Sequence, residues 1–76
     1  MDDNNKLDAI KVRGDLFALI TARLEDAHEI AVRGQSSKAG RHLISQLISD
    51  FEANLEEIRI LLNASAIVSE SRVAEL

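Results

Sequence analysis

Apolar residues recur along this chain at alternating steps of three and four, the period of an α-helix with one buried face. In the first segment the series runs through Ile10, Phe17, Ile20, Leu24, Ala27 and Ala31, with Arg13 occupying one step. If these are heptad positions a and d, Leu16 and Ile30 fall at g, and Val12 and Leu19 at c. The second segment keeps the rhythm unbroken through Ile44, Ile48, Phe51, Leu55, Ile58 and Leu62, with Leu47 and Leu61 at g. Strict alternation of apolar and polar residues, the mark of a strand, never persists for long. The pattern predicts an all-α chain with a first helix over about 5–33 and a second over about 37–63.

Between the two lies the chain's one turn-like cluster, Gly34-Gln35-Ser36-Ser37, and no Pro interrupts either side. Gly34, following Arg33, reads as the left-handed residue that closes a helix, and Ser36 or Ser37 as the N-cap of the next. A turn over 34–37 makes two long helices antiparallel neighbours, with residues whose numbers sum to about 70–72 facing each other. Ala27 then meets Ile44, Ile20 meets Phe51, Phe17 meets Leu55, and Ala31 meets Gly40. Arg13, the polar break in the first stripe, falls near Glu57 and predicts an Arg13–Glu57 or Arg13–Glu56 pair. Beyond Leu62 the heptad lapses at Ser65, Ser69 and Arg72, so 64–76 is expected to be a short helix or a mobile tail, with Ile67, Val68, Val73 and Leu76 as its apolar residues.

The apolar stripe is wider than a hairpin needs. Val12, Leu16, Leu19, Leu47, Phe51 and Leu61 are therefore expected to form a dimer interface, two antiparallel two-helix hairpins making a four-helix bundle. Chain length points the same way. A single domain over 1–76 buries too little surface to be robust alone, and with no Cys it has neither disulfides nor thiolate metal sites to help it. Oligomerisation is the remedy left.

Charge and aromatic content narrow the partners. The chain carries 13 acids against 9 bases, a net −4, with two Phe and no Trp or Tyr. Nucleic acid is thus an unfavoured partner, lacking both bulk attraction and a stacking platform. No apolar run reaches the roughly 18–20 residues that cross a bilayer, and the start, Met1-Asp2-Asp3-Asn4-Asn5-Lys6, is acidic and polar; a cytoplasmic protein with no membrane contact is expected.

Three features could carry chemistry. His28 and His42 have numbers that sum to the expected register, with Glu25 and Glu29 nearby, but no His-Glu-x-x-His spacing accompanies them, so no metal is expected. The segment Ala27-His28-Glu29-Ile30 resembles the phosphoaccepting His-Glu-aliphatic box of sensor kinases, whose dimerisation domain is a pair of antiparallel helical hairpins. That resemblance implies an exposed, phosphoaccepting His28. It departs from the family at Ala31-Val32-Arg33-Gly34, where a basic residue and a proline should follow. Lastly, no acid occurs between Ile30 and Ser49, whereas Arg33, Lys38 and Arg41 do, giving a basic turn end that with His28 and His42 could meet a partner or RNA.

No hydroxyl, His and acid share a level, and no glycine-rich phosphate loop is present, so neither catalysis nor a cofactor is expected. The sequence reads as a small non-enzymatic, homo-oligomeric module for protein–protein interaction or regulation. Phosphotransfer or metal binding at His28, or RNA binding at the turn end, are the alternatives.

Overall fold

The computed structural model describes residues 2–74, and the side chains of residues 8–70. Two helices, α1 (Asp2–Arg33) and α2 (Arg41–Ala74), pack against each other as an antiparallel hairpin 58 Å long and 15 by 11 Å across. The all-helical hairpin is as expected, and α1 ends at Arg33 as its terminal cation suggests.

The connection differs. It spans residues 34–40 rather than 34–37, because neither Ser36 nor Ser37 caps a helix. The Ser36 hydroxyl oxygen accepts the Lys38 N–H at 3.2 Å, and its carbonyl accepts the Ala39 N–H at 3.2 Å, closing a local turn that competes with helix initiation. Gly40 takes the capping position instead: its carbonyl accepts the first helical bond of α2, from the Ile44 N–H at 3.0 Å. Gly34 is not left-handed, since no described glycine has positive φ. Its N–H continues the helical pattern to the Ile30 carbonyl at 3.0 Å, and Gln35 and Ser36 follow with shorter-range bonds to Val32 and Arg33.

The far end differs as well. In place of a short helix or tail from residue 64, α2 continues unbroken to Ala74. Nothing between 41 and 74 is a helix breaker, and α1 extends far enough towards the N-terminus to give this stretch a neighbour. Ser65, which breaks the apolar pattern, is buried between the helices and donates its hydroxyl to the Leu61 carbonyl at 2.8 Å. Leu76 and the side chain of Val73 lie outside the described residues.

The longer connection resets the register. Arg23 pairs with Glu57 at 3.1 Å, so facing residues have numbers that sum to about 80, not 70–72. Glu56 pairs with Arg59 instead (Nε to Oε2, 2.9 Å), so the expected Arg13–Glu57 and Arg13–Glu56 pairs do not form. The helices have also rotated. Ala9, Arg13, Leu16, Ile20, Arg23, Ala27 and Ile30 of α1 face Ile44, Leu47, Phe51, Asn54, Ile58, Leu61, Ser65 and Val68 of α2. Among the described residues, Ile20, Ala27 and Leu47 alone form the buried apolar core.

Gly40 gives the fold its first prediction. A Cβ at this position meets nothing within 4 Å, and the first turn of α2 contains no acid. Gly40→Asp adds a side-chain acceptor for the free N–H groups and a charge suited to the helix dipole, together worth about 1 kcal/mol. Thermal unfolding followed by circular dichroism should shift upwards by about 4–8 °C; no change would mean that Gly40 is not the cap.

Candidate interaction surface

A helix rotated in this way exposes what lies just outside its seam. In an antiparallel pair the residues that follow the inward positions of both helices emerge on the same side. Here they are Ile10, Phe17, Leu24 and Ala31 of α1, and Ile48, Leu55 and Leu62 of α2. The large ones are all well exposed, from 39% for Ile10 to 55% for Ile48. Counted in the observed register they form rungs: Ala31 beside Ile48, Leu24 beside Leu55, and Phe17 beside Leu62. At the turn end the flank sinks into a hollow of about 300 Å³ lined by Ile30, Ala31, Gly34, Gln35, Ile44, Leu47, Ile48 and Phe51. The rim beyond the rungs is Gly14, Thr21 and His28 on α1, and Ser45, Glu52, Arg59 and Ala66 on α2, all exposed. Few charges border this flank.

The opposite flank is acidic. Asp26, Glu29 and Asp50 surround an open depression of about 510 Å³ with Asn54, Ile30 and Ala53. Beside it Arg23 bridges the two helices, its guanidinium binding Asp26 and Glu57 at 3.1 Å each, while its Nε is buried with no partner among the described residues. A smaller patch next to this network contains Leu19, Ile60 and Leu61. The two flanks thus differ in charge: both expose large apolar residues, Val12, Leu19, Leu43, Ile60 and Ile67 on the second, but only the second would bring carboxylates against carboxylates.

The residues expected to form a dimer interface divide between locations. Leu47 is buried within one hairpin, and Leu16, Phe51 and Leu61 are half-buried in the same seam. Leu16, Leu47 and Leu61, expected beyond the stripe a single hairpin needs, thus lie in its own seam, and Phe51, expected both in that seam and at the interface, lies in the seam too. Val12 and Leu19 are exposed, but on the acidic flank. Phe17, Leu24, Ile48, Leu55 and Leu62, assigned from the sequence to the hairpin seam, lie outside it and make the apolar flank.

At the turn end, Arg33, Lys38, Arg41 and His42 are all exposed. The new register separates His28 from His42. His28 stands on the rim level with Glu52, and His42 lies at the start of α2, so the two rings do not share a level. Among the described residues, no group of three or more His, Asp or Glu side chains is placed to hold a metal ion. No helix is long and apolar enough to cross a membrane, judged on the described residues. Comparison with protein-family models, curated proteins and solved structures finds no match.

Proposed function

We propose that this chain is a non-enzymatic, self-associating interaction module, in which two hairpins close a four-helix bundle through the apolar flank. The observation that supports this reading most directly is the imbalance between core and surface. Among the described residues three apolar side chains are buried, whereas six large ones stand exposed in heptad register along one flank. A hairpin alone leaves its strongest driving force unused.

The area suits a dimer. At about half exposure each large residue offers on the order of 80 Å², giving roughly 500 Å² per chain and 1,000 Å² in a pair before the rim is counted. That is about the threshold for a specific interface. Burying the apolar flank leaves the acidic flank and the basic turn end, with Arg33, Lys38 and Arg41, facing outwards for a second protein.

Sedimentation of the full chain tests the reading. It should give twice the 8.4 kDa chain mass at about 10–100 μM. Interference optics are needed, because Trp and Tyr are absent. A monomer mass across that range would overturn the proposal.

A further inference from the structure

We infer that the two hairpins lie with their turns at opposite ends, and that Phe17 of each copy fills the turn-end hollow of the other. The inference rests on self-association through the apolar flank and adds the arrangement. Two two-fold arrangements bring the apolar flanks together. With both turns at one end, each rung meets its own copy: Phe17 and Leu62 crowd against a second Phe17 and Leu62, while the hollow beside Ala31 faces a second hollow. With the turns at opposite ends and the axis at the Leu24–Leu55 rung, large meets small along α1, while Ile48 meets Leu62 along α2. Leu24 is seven residues from both Phe17 and Ala31, so this axis sets Phe17 of one copy over Ala31 of its partner. Phe17, 49% exposed in a single hairpin, then gains a socket, and the hollow of about 300 Å³ gains an occupant. Close packing favours that pairing over one that leaves a void at one end and a collision at the other.

Charge complementarity agrees. Glu52 and Arg59 flank Leu55 at minus three and plus four, so the same axis sets Glu52 of each copy beside Arg59 of the other along the two α2 helices, where Arg59 already binds Glu56 of its own helix.

The chain has no cysteine, so Ser37→Cys supplies a single spin-label site in the exposed turn, outside the hollow. Dipolar distance measurement on the labelled dimer should read about 35–40 Å, twice the axial reach from Leu24 to the turn. A separation of about 10–20 Å would place both turns at one end and overturn the inference, leaving the dimer intact. Phe17→Ala should weaken dimerisation at least about tenfold in sedimentation at unchanged helicity. A long distance with undiminished affinity would deny Phe17 its role as the knob. A wild-type protein that sediments as a monomer would overturn the functional reading and the arrangement together.

Discussion

Replacing Leu47 with Ala should cost about 3 kcal/mol and lower the thermal midpoint by at least about 12 °C, whereas Leu43→Ala, one turn away, should cost less than about 1 kcal/mol. Leu47 is 4% exposed and sits between the helices beside Phe51 and Ile44. Truncation there removes buried apolar area and leaves a cavity that two straight helices, joined at one end only, close imperfectly. Leu43 is 37% exposed and borders the seam. With three apolar residues buried among those described, each is a large share of what holds one hairpin together. Circular dichroism at 222 nm, at one fixed protein concentration, follows both variants. Equal losses would mean that the helices are rotated away from the observed seam.

That rotation is also where the sequence was least decisive. The helical period, the antiparallel hairpin and the end of α1 at Arg33 were all legible, because each rests on local chemistry: spacing, a short polar connection and a terminal cation. The choice of seam was not. In α1 the two competing stripes share Arg13, Ile20 and Ala27, and differ in whether Leu16, Arg23 and Ile30 or Phe17, Leu24 and Ala31 complete them. Hydrophobicity alone favours the stripe with Leu24 over the one with Arg23, and in α2 the one with Leu55 over the one with Asn54. The fold takes the other pair. Arg23 lays its stem in the seam and sends its guanidinium out to Asp26 and Glu57, and Asn54 donates to the Asp50 carbonyl at 3.1 Å. Polar residues that can be satisfied locally accept the narrow two-helix seam, and the more apolar stripe turns outwards.

The register error has a separate cause. Counting from a turn over 34–37 assumes that Ser36 caps a helix, but its hydroxyl is taken by the Lys38 N–H. Beyond the three added residues, the chain carries on from α1 through Gly34, Gln35 and Ser36, whose N–H groups bond back to Ile30, Val32 and Arg33, so the reversal centres near Gly40 and every facing pair shifts. Sequence alone gives little means of choosing between the two uses of one serine hydroxyl, since both are short-range bonds of similar strength. The consequence for the candidate surface was large: His28 and His42 parted, Arg13 lost its expected pair, and the expected interface residues were divided between seam and flank.

The outward turn of the more apolar stripe makes the second large prediction specific to one flank. Leu24→Glu combined with Leu55→Glu should reduce the dimer to a monomer, weakening association by at least about a thousandfold. The two residues are 53% and 49% exposed, so a single hairpin loses little by the change. In the proposed dimer they lie at the two-fold axis, where the double substitution would gather four carboxylates in the middle of the interface. The matching control is Leu19→Glu with Ile60→Glu, two residues just as exposed but on the acidic flank. It should leave the mass at twice the chain value, because that flank stays in water. Thermal melts give a second readout. The wild-type midpoint should rise with protein concentration, as it does whenever folding is coupled to association, and that of Leu24→Glu/Leu55→Glu should not. If instead the control dissociates and the test variant remains dimeric, the self-association surface is the acidic flank, and the exposed rungs from Ile10 to Leu62 belong to a different protein.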